Sequence, residues 1–119
     1  MTDILATEIK LRRQSRLLEV SFDDGSHYQL AFEYLRVHSP SAEVQGHGHG
    51  APILVVGKQS VGIRAIEPIG QYAVRLVFDD GHDTGLYTWK YLHELGQQHD
   101  QKWSAYLERV AQSGHVRGG

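Results

Sequence analysis

Apolar residues alternate with polar ones through much of the chain, and the phase of that alternation predicts a series of short strands. Ile9 and Leu11 alternate with Lys10 and Arg12, as the face of an edge strand would. Arg13-Gln14-Ser15 is polar and suits a turn, and residues 16–22 form the next strand, with Leu18, Val20 and Phe22 inward. Residues 27–30 return as a strand, and residues 31–37 follow as a short helix. Ser39-Pro40 offers an N-cap and a first-turn proline, so residues 41–44 add one more helical turn. Residues 53–56 read as a buried strand. Val61, Ile63 and Ala65 alternate in the next one, which ends at Glu67-Pro68-Ile69-Gly70. Tyr72, Val74, Leu76 and Phe78 line the last long strand.

The period then changes. Residues 86–95 read as a helix stopped by Gly96. Trp103, Tyr106, Leu107, Val110 and Ala111 share one face of a second helix, with Gly114 at its C′ position. The predicted fold class is α+β: a hairpin-rich antiparallel or mixed sheet with helices on one face and a C-terminal helical segment.

One phrase occurs twice. Phe22-Asp23-Asp24-Gly25 returns as Phe78-Asp79-Asp80-Gly81, each copy at the end of an alternating run. Asp-Asp-Gly places a glycine, which tolerates positive φ, where a strand must reverse, so both copies predict tight hairpin turns. An aromatic-leucine segment follows each, Phe32-Glu33-Tyr34-Leu35 and Tyr87-Thr88-Trp89-Lys90-Tyr91-Leu92. Between the two halves the composition shifts: residues 45–52 read Gln-Gly-His-Gly-His-Gly-Ala-Pro and predict a flexible loop. With 119 residues the chain forms one domain, spanning residues 1–119, whose ordered core covers about residues 5–112.

Charge and composition narrow the function. The net charge is −2, with 12 basic residues scattered among 14 acidic ones, so no basic stripe exists for a nucleic-acid backbone. No apolar run is long enough for a bilayer, and the first residues carry no signal-peptide pattern, so the expected location is the cytoplasm. The expected partner is another protein, with no nucleic acid and no membrane; the oligomeric state is not legible. Cysteine is absent, which excludes disulfides and every thiolate chemistry. No Gly-x-Ser-x-Gly elbow or phosphate loop is present, and the His-acid pairs are adjacent rather than spaced for an iron triad.

The candidate chemistry therefore rests on histidine. His82 directly follows the second Asp-Asp-Gly turn, with Asp80 and Asp83 nearby. It can act as a metal ligand or proton-transfer group, or can hydrogen-bond the turn. His47 and His49 flank Gly48, and His38 lies upstream, so His82, His38, His47 and His49 form the candidate set for zinc or another transition metal. A small enzyme using His82 with Asp80 or Asp83 is a further alternative. The aspartates themselves read as turn residues that bond local N–H groups.

The order of three segments resembles the N-terminal domain family of gamma-butyrobetaine hydroxylase. They are residues 18–25, the run Leu35-Arg36-Val37-His38-Ser39-Pro40-Ser41-Ala42, and Phe78-Asp79-Asp80-Gly81-His82 with Tyr87-Thr88-Trp89 and Leu92. Stand-alone bacterial members of uncharacterised function also exist. The resemblance implies a structural zinc held by a Cys-x-Cys-x-x-Cys segment and the histidine of the second turn. Those positions are Ser39, Ser41, Val44 and His82 here, so only His82 remains a competent ligand. The family's zinc site is thus expected to be largely lost, with a Ser39-Pro40-Ser41 cap and local packing in its place and no cofactor required. Similar domains joined to Mrp-type iron–sulfur carrier ATPases imply a link to iron–sulfur carrier systems. With no dioxygenase domain within these 119 residues, the expected function is a non-catalytic binding or adaptor domain. Its contact surface would lie around His82, His38 and residues 45–52.

Overall fold

The computed structural model describes residues 4–41 and 54–114. Each Phe-Asp-Asp-Gly phrase begins at the end of the middle strand of a three-stranded antiparallel sheet. β1 (Ala6–Arg12), β2 (Leu17–Phe22) and β3 (His27–Ala31) form one sheet in that order, followed by α1 (Phe32–Val37). β4 (Ile63–Ile69), β5 (Ala73–Phe78) and β6 (Leu86–Thr88) form the other, followed by α2 (Trp89–Gln97) and α3 (His99–Gln112). Over the described residues the chain is thus a βββα unit made twice, with one extra helix.

The likeness of the halves extends to single hydrogen bonds. Phe22 N–H donates to Ser26 O and Gly25 N–H to Phe22 O, at 2.9 and 3.1 Å. In the second turn Phe78 N–H donates to His82 O and Gly81 N–H to Phe78 O, at 3.0 and 3.4 Å. Gly25 and Gly81 have φ of 87° and 91°, where a side chain would strain the backbone. The first aspartate of each turn accepts from the N–H just ahead of the sheet's first strand: Leu5 to Asp23 at 3.2 Å, Gly62 to Asp79 at 3.0 Å. Both first strands then carry an irregularity in register, between Ala6 and Glu8 and between Ile63 and Ala65.

Contacts between the halves are reciprocal. Tyr34 Oη on α1 donates to Leu95 O on α2 at 2.7 Å, and Tyr91 Oη on α2 donates to His38 O at the end of α1. Arg36 on α1 binds Asp80 in the second turn, and His93 on α2 binds Asp24 in the first. Such exchange, in which i meets j and j meets i, is the contact pattern of a two-fold axis. One core results. It holds Leu18, Val20, Phe22 and Leu30 from the first sheet, Ile63, Val74, Leu76, Phe78 and Tyr87 from the second, and Leu35, Leu92 and Leu95 from the helices. Among the described residues no helix is long and apolar enough to cross a membrane.

The α+β class stands, with corrections. There are two antiparallel sheets rather than one. Residues 86–88, expected as helix, are strand β6 paired with Ala73–Arg75, and the helix starts at Trp89 with the Thr88 side chain accepting from Tyr91 N–H. Gly96 does not stop the helix; it lies inside α2, which runs to Gln97, and is glycine because a Cβ there would sit 2.3 Å from the Tyr28 ring. Residues 54–56 form no strand. They pack beside Val37, Tyr106 and Val110, with Tyr106 Oη donating to Val55 O at 2.7 Å. Tyr72 is 57% exposed rather than inward, because β5 begins one residue later. Arg16 lies in the β1–β2 turn at φ 56° rather than in β2. The expected helical turn beyond Ser41 and the loop 45–52 fall outside the described residues.

Candidate functional site

The two halves differ where helix end meets turn, and His82 is there. Its backbone is placed by the second Asp-Asp-Gly turn: His82 N–H donates to Asp80 Oδ1 at 3.1 Å, as Ser26 N–H does to Asp24 Oδ1 at 2.9 Å. His82 thus occupies the place that Ser26 holds in the first half. The residue is 6% exposed, and its ring lies 6.1 Å from the Phe78 ring, centroid to centroid. Nε2 is 2.8 Å from Ser39 Oγ, in the segment that leaves α1.

Ser39 is fully buried, and its Oγ also accepts from Ser41 N–H at 3.2 Å. Ser41 Oγ pairs with Thr84 Oγ1 at 2.7 Å. Gly85 admits this arrangement, since a Cβ there would stand 2.6 Å from Ser39 Oγ. Below lies Tyr87, whose Oη donates to Leu35 O at 2.6 Å; burial drives its phenol pKa upward, with the Ser39 hydroxyl beside it working the other way. In the first half the equivalent space is filled differently, by the Tyr28 ring against Gly96.

Asp80 anchors the exposed side of this corner. Its Oδ2 takes Arg36 Nε at 2.9 Å and Lys58 Nζ at 2.6 Å. Burial raises the Asp80 pKa, but Lys58, the His82 N–H and Arg36 together outweigh it and hold the carboxyl at about 2. Arg36 also lies over the Phe78 ring, its Cζ 6.0 Å from the centroid. The sequence did not mark Arg36 or Lys58 as partners of Asp80. The available signal was the repeat, because Arg36 stands where His93 stands in the second half, and His93 meets Asp24.

The structure brings Ser39 and Ser41 to the His82 turn. His38 goes elsewhere: its Nδ1–H donates to Tyr34 O at 2.9 Å, and its ring lies 4.7 Å from Tyr34 and 6.2 Å from Tyr106. Burial lowers its pKa, as do the neighbouring Lys102, His99 and Arg109, against the bond to Tyr34 O. Val44, His47 and His49 lie outside the described residues. A tetrahedral zinc site needs three or four convergent thiolate, imidazole or carboxylate donors. At this corner the hydroxyls of Ser39 and Ser41 are spent on His82 and Thr84. Among the described residues no group of three or more His, Cys, Asp or Glu stands close enough to hold a metal. The described residues therefore do not fit the thiolate zinc site that the resemblance implied. Nor is the Ser39–His82 pair an exposed nucleophile and base, since both side chains are buried.

Ser39→Ala is expected to cost about 1–3 kcal/mol in urea denaturation, because His82 and Ser41 N–H lose a buried partner together. A change under about 0.5 kcal/mol would show the bond to be neutral on balance.

Comparison with known proteins agrees with the sequence resemblance. Residues 9–93 match the family "gamma-butyrobetaine hydroxylase-like, N-terminal". No curated protein matches the chain. Two NMR solution structures of proteins are similar: one at 52% identity and TM-score 0.83, covering 98% of this chain and 90% of its own; the other at 50% and 0.81, covering 95% and 89%. A crystal structure of a protein of unknown function from Acidithiobacillus ferrooxidans, of the DUF971 family, is 41% identical with TM-score 0.65, covering 76% of this chain and 91% of its own.

Proposed function

Because the chain belongs to the gamma-butyrobetaine hydroxylase-like N-terminal domain family, we propose that it is a non-catalytic binding or adaptor module whose metal corner is closed by hydrogen bonds. The observation that carries this reading is the buried 2.8 Å contact between Ser39 Oγ and His82 Nε2. A serine hydroxyl keeps its proton at neutral pH and is a poor zinc donor, whereas it hydrogen-bonds an imidazole well. The polar corner then needs no metal to hold the end of α1 against the second turn. The surface around it, from Ser41 and Thr84 to Lys58, is the proposed contact face for a protein partner.

Metal analysis of protein purified without a histidine tag tests the reading. The expected result is less than about 0.1 equivalent of zinc, nickel or copper, and no shift in thermal midpoint on adding zinc or EDTA. One equivalent of metal with a raised midpoint would overturn it in favour of a histidine-based metal module built on His82, His38, His47 and His49. The adaptor reading extends to iron–sulfur carrier systems, on the strength of the family resemblance alone. Binding to a purified Mrp-type carrier ATPase tests that extension, and a Kd weaker than about 1 mM retires it.

A further inference from the structure

Away from the His82 corner, a cleft of about 310 Å³ opens between the two halves. Its walls include Arg13, Arg16 and Phe32 from the first half and Gly62, Arg64 and Asp79 from the second. We propose that this cleft is a binding site for a small, multiply charged oxyanion, phosphate or carboxylate in type. Its location and residues are independent of the function proposed above.

The charge in the cleft is not neutralised by the fold. Arg13 donates from Nη1 to Ile63 O at 2.8 Å and from Nη2 to Arg64 O at 3.2 Å. Arg16 Nη1 donates to Val61 O at 3.3 Å. Carbonyl oxygens fix a guanidinium in place but leave its charge uncompensated. The Arg64 side chain makes no hydrogen bond or ion pair among the described residues; only its backbone carbonyl is engaged, by Arg13. Asp79 is the one acid lining the cleft, and its Oδ1 is committed to Gly62 N–H. Three cations thus face one engaged carboxylate, in a chain whose net charge is −2. Guanidinium groups with free N–H donors recognise planar or tetrahedral oxyanions through paired, charge-assisted bonds.

The second half serves as an internal control. There the hairpin equivalent to residues 13–16 is Gly70-Gln71-Tyr72, Trp89 stands in the place of Phe32, and Thr7 corresponds to Arg64. That hairpin closes without an arginine, and Trp89 Nε1–H ties it down by donating to Gln71 O at 2.8 Å. The architecture therefore does not require cations at these positions. Arg16 is also held at φ 56°, in the left-handed region, where glycine or asparagine would serve the turn with less strain. Backbone strain kept for the sake of a side chain is a mark of a functional position. Sites of this size commonly lie where two structural units meet.

The test is a titration followed by amide NMR shifts, with inorganic pyrophosphate and citrate as separate arms and sodium chloride at matched ionic strength as the control. The expected result is saturable shifts centred on Arg16, Gly62 and Arg64, with Kd below about 1 mM for one arm. The arm that binds more tightly identifies the ligand as phosphate or polycarboxylate. Arg64→Gln, which breaks no contact of the fold, should weaken binding about tenfold or more with an unchanged thermal midpoint. Arg16→Gly should also lose affinity while relieving the turn. Shifts that sodium chloride reproduces, no saturation by about 10 mM, or wild-type affinity in Arg64→Gln would each overturn the proposal.

Discussion

Asp80→Ala is expected to destabilise the protein by about 1–3 kcal/mol, the range for removing the acceptor from charged and backbone hydrogen-bond donors. Asp80 is the acceptor for Arg36, Lys58 and the His82 N–H together. The side chains of Asp80 and Arg36 are 18% and 11% exposed. Arg36 Nη1 is already buried without a hydrogen-bond partner, so removing Asp80 leaves a guanidinium with still less compensation. The second turn would also lose the bond that sets His82, and the end of α1 would loosen from the second half.

The pH dependence follows from the depressed carboxyl, at about 2 in the folded chain against 3.8 as the ordinary value. A carboxyl whose folded pKa is lowered stabilises fully above its unfolded pKa, and that contribution fades as pH falls towards the folded pKa. Wild-type stability should therefore decline between about pH 4 and pH 2. Asp80→Ala should lack its share of that decline, although Asp24, also held at about 2 by Ser26 and then His93, retains its own. Urea midpoints at pH 7, 5, 4 and 3 measure both effects. Asp24→Ala is the matched control, since Asp24 occupies the same turn position with its side chain 43% exposed. Equal losses for the two variants would assign the effect to turn hydrogen bonds and dismiss the Arg36–Lys58 contribution.

Gly96→Ala is the second large effect, and its sign is the informative part. Inside an ordinary exposed helix this change stabilises by about 1 kcal/mol, because alanine is the better helix former. Here the new Cβ would lie 2.3 Å from Cγ and Cδ2 of Tyr28, atoms at the root of the ring rather than at its free end. The ring also packs against Phe22 and His93, with centroids 6.1 and 5.9 Å away. It cannot yield without moving strand β3 or helix α2, so a net loss of about 1–3 kcal/mol is expected. Tyr28→Ala in the same chain should return much of the alanine's helix benefit. A thermal midpoint raised by Gly96→Ala alone would show that the halves are not in close contact at this point.

These two experiments probe equivalent places in the duplicated fold, and they show which parts of it were legible beforehand. The repeated Phe-Asp-Asp-Gly phrase located both hairpins, because a glycine at positive φ and a side chain that bonds local N–H groups are properties of a few consecutive residues. Alternation located β1, β2, β4 and β5 for the same reason. Strand β6 was read as helix because three residues are too few to display a period, and Tyr87-Thr88-Trp89 continues into a true helical face. Gly96 was read as a stop because its reason for being glycine is Tyr28, on β3 of the other half.

From the chain of residues alone came the α+β class, the two turns and kinship with the hydroxylase-like domains. Tertiary structure decided that the strands form two sheets, that each helix reaches across to the opposite turn, and that Ser39 closes on His82 while His38 turns to Tyr34. It also gathered Arg13, Arg16 and Arg64 into one cleft. Local patterns set φ, ψ and the choice of inward face, but pairings between residues dozens of positions apart depend on how two separate apolar surfaces meet, and no period in the sequence records that.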